Sequence, residues 1–317
     1  MKKPEFFDGK AIKAALEGAE RCLETHIDEI NSLNVFPVPD GDTGINMFMT
    51  MQAANKGWAN ISTDSASAVS AAAARGALLG ACGNSGVILS QILRGMAKGF
   101  EAKEHFTCEN FAEALNTASE MARNAVMNPV EGTIITVCRE ASEMASKMAK
   151  RGASMKQTMN AIVSQAKRSV MKTPDLLPVL KEAGVVDAGA KGLFYIFQGM
   201  SNYISKRVAT DTAPGMGTVN TGVKSFSQSF GYDVQFLLRD LKIPVDEVRA
   251  KIETMGESVL VVGDDRLSRV HIHTKDTEAV LEYAGSIGKI ADLVKQNLDT
   301  QVKKFLKKRS IKQTGKN

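Results

Sequence analysis

The chain has 317 residues, 44% of them hydrophobic, which is long for one ordinary domain and enough to bury two cores. A single Trp and four Tyr, set against frequent Ala and Met, favour packed helices over sheets. The net charge of +5 sits at one end: residues 301–317 hold seven Lys or Arg and no acid, and without them 33 basic face 35 acidic residues, which excludes a general nucleic-acid-binding surface.

The spacing of Ile12, Leu16, Ala19, Leu23, Ile27 and Ile30 predicts one amphipathic helix, capped by Asp8. Helices follow over about residues 44–58, 67–81 and 85–100, the last opening at a Gly-rich loop. Thr107 caps a fifth, through Met127; Pro129 breaks the chain, and Thr133 opens a sixth to Lys150. Further helices are expected over residues 154–171, 174–181 and 187–206. Short connections make neighbours antiparallel, so residues 1–207 read as an all-α antiparallel helical barrel or bundle. Residues 208–229 are rich in Thr, Gly and Ser, include Pro214, and read as a linker.

Beyond the linker the period changes. A strand is predicted over 232–238, then a helix from Pro244 to about Gly256. Strands over 259–262 and 267–273 flank a Gly263-Asp264-Asp265 turn. Asp276 or Thr277 caps a helix to Ile287, and a short strand follows over 289–294. The order β-α-β-β-α-β predicts a small α+β ferredoxin-like domain over 230–300. The basic tail, 301–317, is expected to be a solvated disordered end, with peripheral contact to anionic lipid or an acidic partner as the alternative. Cys22, Cys82, Cys108 and Cys138 form no CxxC pair and read as reduced thiols of a cytoplasmic protein. No stretch reads as a signal peptide or is apolar for long enough to span a bilayer.

Three loop regions carry candidate chemistry. In residues 34–47, Asp40 and Asp42 flank Gly41 just before a helix. Two acids so close repel unless a cation joins them, and hard oxygen ligands suit Mg²⁺ shared with substrate phosphates. Thr43 and Asn46 lie in the first helical turn, where backbone N–H groups can hold a phosphate; a structural turn is the plainer alternative. Residues 80–86, Gly-Ala-Cys-Gly-Asn-Ser-Gly, allow close backbone approach to an anion or simply turn one helix into the next. Residues 128–133 and 186–192 are polar loops at helix starts, readable as caps or as site walls.

The segments SLNVFPVPDGDTGINM, GNSGVILSQILRG, NPVEGTIITV and EAGVVDAGAKGL, over about residues 5–205, together resemble the nucleotide-binding family typified by the ATP subunit of dihydroxyacetone kinase (DhaL-like). The longer bacterial version, the fatty acid kinase subunit, is the nearer likeness, and residues 230–300 fit its middle domain. The resemblance implies a helical barrel with ATP at one rim. Asp40 and Asp42 would hold Mg²⁺ between the phosphates as the catalytic pair, with Asn34 as a third metal-site residue. Thr43, Gly44 and Asn46 would contact phosphate; Gly83, Asn84, Ser85 and Gly86 would cradle it; Thr133 and Asp187 would lie around the nucleotide.

The chain departs from the family in three ways. Cys82 stands where the family usually has Arg, so a cation beside the phosphate loop is lost. Asp233 stands where the middle domain often has a Cys, thought to join two histidines in a metal site; here His271 and His273 remain as candidates for Zn²⁺. The sequence stops before the further C-terminal domain usual in the family, so it reads as a shortened member, as one whose remaining part is a separate protein, or as a truncated sequence. The resemblance implies transfer of the ATP γ-phosphoryl group to a fatty acid carboxylate, presented by a fatty-acid-carrying binding protein, and a homodimer formed through the second domain. A carboxylate acceptor needs no general base, and none is evident. The alternatives are a catalytically degenerate scaffold or regulator and a dihydroxyacetone kinase subunit.

Overall fold

The computed structural model describes residues 5–204 and 230–314, with side chains described up to Lys307. The expected linker at 208–229 lies outside the described residues. The first part consists of α1 (Gly9–Glu24), α2 (Ile27–Ser32), α3 (Thr43–Gly57), α4 (Ala66–Leu79), α5 (Gly83–Gly99), α6 (Cys108–Ala125), α7 (Ile134–Lys150), α8 (Met155–Leu176), α9 (Pro178–Ala183) and α10 (Ala188–Ile204). Each of α1, α4, α5, α6, α7, α8 and α10 packs on the next, and α10 returns to α1, which closes a barrel. Its core gathers Leu16, Leu23, Met47, Met51, Leu89, Leu115, Met159, Ile162 and Leu193. An apolar cavity of 320 Å³ remains inside, between Phe7, Leu16, Leu89, Phe111, Leu193 and Phe197.

Of the helix boundaries that differ from the sequence expectation, three have a clear local reason. The first helix breaks at Thr25-His26, where the Thr25 hydroxyl donates to the Cys22 carbonyl at 3.0 Å and His26 Nδ1 lies 2.7 Å from the same oxygen. Side chains thus take the carbonyl that the helix needs to continue. Conversely, α8 runs through Pro174. The carbonyl that Pro174 leaves without its usual donor, Val170 O, accepts instead from the Thr173 hydroxyl at 2.7 Å. Helix α5 begins two residues early, at Gly83, so the Gly-rich stretch is the first turn of a helix rather than a loop before it.

The second part contains β1 (Tyr232–Arg239), α11 (Val245–Ile252), β2 (Glu257–Gly263), β3 (Leu267–Thr274), α12 (Thr277–Ile287) and β4 (Lys289–Asn297). The sheet order β2-β3-β1-β4, with antiparallel pairing throughout, is the ferredoxin-like arrangement. Strand alternation sorts the side chains. Val234, Phe236, Leu238, Val261, Val270 and Ile272 pack on Val248 and Ile252 of α11 and Val280 and Ala284 of α12. The other face carries Asp233, Gln235, Arg269, His271 and His273 beside Leu260 and Val262. Leu260 and Val262 pack on Leu78, Ala81, Val87 and Ala125 of the barrel, so this polar face is closed against the helical domain.

The tail also differs from expectation: residues Leu298–Thr314 form a helix, α13. Leu298 and Val302 recur at helical spacing among the lysines and pack on Val38, with Leu306 against the same cluster. The Phe305 ring lies on Gly41. The basic composition hides this apolar stripe.

Candidate functional site

A cleft of 240 Å³ opens where the barrel meets β2. Phe36, Pro37 and Thr43 line it from the first loop, Asn84 and Ser85 from the start of α5, Asn128 and Thr133 from the start of α7, Asp187 and Gly189 from the start of α10, and Ser258 to Leu260 from the small domain. All four loop motifs, spread over 150 residues of sequence, therefore reach one cleft.

Beside it, Gly41 takes φ +74°, which turns Asp40 and Asp42 toward each other. The two carboxyls act on each other electrostatically, and Asn46 beside Asp42 favours its charged form. Burial, followed by the charge of Asp42, holds Asp40 well above the ordinary carboxylate range. Burial raises Asp42 too, against the influence of Asp40 and Asn46. Two acids in such electrostatic contact are in the condition that a cation relieves.

Asn34 holds this loop from inside. It is 2% exposed. Its Oδ1 accepts from the Asp42 and Thr43 amides at 3.3 and 3.1 Å and from the Thr43 hydroxyl at 2.6 Å, while its Nδ2 donates to Val38 O at 2.8 Å. Its amide is thus committed to the loop, and the Thr43 hydroxyl is turned inward with it. The Gly44 and Ile45 amides donate to Asn31 Oδ1 at 2.7 and 3.3 Å, and the Asn46 amide to Asp42 O at 2.9 Å. The first turn of α3 therefore has its backbone donors taken within the protein.

The start of α5 is different. Gly83, at φ +59°, comes so close to α3 that a Cβ would stand 2.4 Å from Asn46 Nδ2. Its N–H donates to Gln235 Oε1 of β1 at 2.9 Å. The Gly86 amide bonds Cys82 O at 3.0 Å. The Asn84 and Ser85 amides bond no other described residue, and both residues line the cleft. These two N–H groups, at the positive end of a 17-residue helix, are the donors that an anion in the cleft would meet.

Thr133 caps α7, its oxygen accepting from the Ile135 amide while its hydroxyl donates to Val130 O at 2.7 Å, so it is both cap and cleft wall. Asp187 is buried, with Oδ2 accepting from the Ala190 amide at 2.7 Å. Desolvation pushes its carboxyl up to about 6, against the backbone N–H groups of Ala190, Ile134 and Gly189. Thr173 Oγ1 fixes the approach by accepting from the Asp187 amide at 3.0 Å.

On the closed sheet face, Asp233, His271 and His273 bring three donor atoms within 4.8 Å of one another. His271 Nδ1 stands 3.1 Å from Asp233 Oδ1 without hydrogen-bond geometry, and among the described residues neither ring nitrogen of His271 has a hydrogen-bond partner. Gln235 Nε2 donates to Asp233 Oδ2 at 2.6 Å. Burial and the neighbouring His271 push His273 down to about 3, leaving a neutral imidazole. A buried His₂Asp set with orphaned nitrogens fits a divalent ion such as Zn²⁺.

Sequence reasoning missed Asn31, Thr173 and Gln235. The period-2 pattern that paired His271 with His273 also holds Arg269, and it pairs Gln235 with Asp233. Asn31 and Thr173 left no such signal, because each acts on backbone brought near by folding.

Residues 37–202 match the DAK2 domain, and residues 229–305 match the FakA-like middle domain of fatty acid kinase. Protein YloV of Bacillus subtilis is 36% identical over 309 residues, covering 93% of this chain and 56% of YloV. An uncharacterized protein of Staphylococcus saprophyticus is 35% identical over 318 residues, covering 95% of this chain and 57% of that protein. The chain thus spans little more than half the length of these curated relatives. The crystal structure of the dihydroxyacetone kinase of C. freundii aligns with 64% of this chain and 36% of that one, at 19% identity and a TM-score of 0.46. On the two domain matches, the chain belongs to the DAK2-domain (DhaL-like) kinase family and carries a FakA-like middle domain of the fatty acid kinase type.

Proposed function

We propose that this chain is the ATP- and Mg²⁺-binding subunit of a phosphotransferase that moves the γ-phosphoryl group of ATP to a fatty acid carboxylate, presented by a fatty-acid-carrying partner protein. The observation that carries the reading is the convergence of four loop motifs on one cleft beside the Asp40–Asp42 pair. Asp40 and Asp42 would hold Mg²⁺, which would supply charge neutralisation for the transferring phosphoryl group. The Asn84 and Ser85 amides hold phosphate oxygens, while Asn34 and Asn46 keep the acids in place. Thr133 and Asp187 form the wall of the nucleotide cleft. An oxygen of the ionised acceptor carboxylate forms a bond to the γ-phosphorus as the bond from that phosphorus to the β-phosphate oxygen breaks. ADP and an acyl phosphate result, and no proton transfer is needed.

Asp233, His271 and His273 are proposed to hold Zn²⁺, and a homodimer through the second domain is proposed from the family likeness. All four cysteines are free thiols, and no described helix is long and apolar enough to cross a membrane. The cytoplasm is the proposed compartment.

Calorimetry of ATP binding, with and without Mg²⁺, on the unaltered chain and Asp42→Asn tests the site. Binding that requires Mg²⁺ and is lost in the variant supports the reading. No binding by the unaltered chain refutes it in favour of a scaffold. Addition of a fatty-acid-loaded partner and hydroxylamine then tests the acceptor: an acyl hydroxamate is expected, and phosphorylated dihydroxyacetone as the only product would move the acceptor to a ketose.

A further inference from the structure

Residues 80–86 contain no Lys or Arg, so the stretch that presents the Asn84 and Ser85 amides has no cation of its own. A candidate comes from the second domain. Arg269 on β3 is 4% exposed. Its Nε is buried and has no hydrogen-bond partner among the described residues. The guanidinium makes one long hydrogen bond, Nη1 to Leu79 O at 3.4 Å, and among the described residues it forms no ion pair. Leu79 is the last residue of α4, directly before this stretch.

We propose that Arg269 is the cation of the phosphate site, reaching across the domain boundary to a terminal phosphate oxygen of the nucleotide held at the start of α5. The inference rests on the nucleotide reading above and adds the second domain to the site. A guanidinium taken out of water without a carboxylate is unfavourable unless an anion completes it. Its hydrogen bond to Leu79 O puts the guanidinium at the end of α4, four residues before Gly83 opens α5. Arg269 is also fixed in place: β3 is a central strand, paired at Leu237↔Arg269 with β1 and at Val262↔Arg269 with β2. A phosphate between the two amides and this fork would receive charge-assisted hydrogen bonds from both domains. The second domain then contributes to nucleotide affinity directly.

The test is calorimetry on the full chain with Mg²⁺-ATP, Mg²⁺-ADP and AMP, using Arg269→Gln, Arg269→Lys and the double variant Cys82→Arg/Arg269→Gln, each checked by thermal melting. Arg269→Gln should weaken ATP roughly ten- to hundredfold, ADP less, and leave AMP unchanged. Arg269→Lys should fall between, since it keeps the charge and loses the fork. Cys82→Arg, which returns a cation to the stretch itself, should recover most of the loss. Equal ATP affinity in Arg269→Gln overturns the inference and leaves the nucleotide reading intact, as does an equal loss for ATP and AMP. If Arg269→Gln does not fold, an unaltered ATP-to-AMP affinity ratio in Arg269→Lys overturns it instead. No nucleotide binding by the unaltered chain overturns both.

Discussion

Gly83 and Gln235, 152 residues apart, meet across the domain boundary: the Gly83 N–H donates to Gln235 Oε1 at 2.9 Å. Gln235 Nε2 in turn donates to Asp233 Oδ2, and the other oxygen of Asp233 faces His271. One chain of contacts therefore joins the first turn of α5 to the histidine pair. A phosphate that takes the Gly83 amide must displace Gln235 and forfeit a hydrogen bond with a net value of about 1 kcal/mol. Gln235→Leu should then bind Mg²⁺-ATP roughly two- to tenfold tighter in calorimetry, while melting at a lower temperature. Unchanged affinity would mean that phosphate does not use that amide.

Thr173 ties a helix defect to the cleft. Its hydroxyl donates to Val170 O, which lacks its donor because residue 174 is Pro, and accepts from the Asp187 amide. The side chain is fully buried. Thr173→Val keeps the shape and leaves two buried backbone groups unpaired, which should cost about 2–4 kcal/mol in urea unfolding. ATP affinity should fall as well, because Asp187 loses its anchor. A loss below about 0.5 kcal/mol would show that the backbone finds other partners.

These two residues also mark where the sequence stops being legible. The barrel was readable because its apolar positions repeat at three and four, and the ferredoxin-like order because turn residues separate short β-branched runs. Asp40, Asp42 and the stretch from Gly83 to Gly86 stood out for their composition. What Asn31, Asn34 and Gln235 do was not legible: each satisfies a backbone group supplied by another segment, and no local pattern records that. The helix over 298–314 was missed for another reason. Seven cations made it read as a tail, while Leu298, Val302 and Phe305, spaced to one side, seat it on the Val38–Gly41 segment.

Asp233, His271 and His273 make a prediction about metal. His273 is neutral at physiological pH, so proton competition there does not weaken metal uptake. The purified chain should take up one Zn²⁺, measured by competition with a chromophoric chelator. A thousandfold excess over the dissociation constant should raise stability by about 4 kcal/mol. His273→Ala should lose both effects. Absence of uptake would leave the orphaned nitrogens of His271 with a purely structural explanation.

Asp187 should set a pH dependence of stability. Desolvation raises its folded pKa to about 6, whereas an unfolded Asp titrates near 3.9. Between about pH 4 and pH 6 the folded chain thus binds more protons than the unfolded one, so this residue lowers stability as pH rises through that window and changes nothing further above it. A two-unit difference corresponds to about 3 kcal/mol at most. Asp187→Asn keeps an oxygen for the Ala190 amide and does not titrate. Urea unfolding should therefore find the variant more stable than the unaltered chain at pH 7, by up to about 3 kcal/mol, with the advantage gone by about pH 4. An advantage that persists undiminished at pH 4 would assign the effect to packing instead of charge. If the pH-dependent gain appears together with weaker ATP binding, the buried carboxylate is retained at the cleft against its cost to the fold, which is the pattern expected of a group that serves the nucleotide.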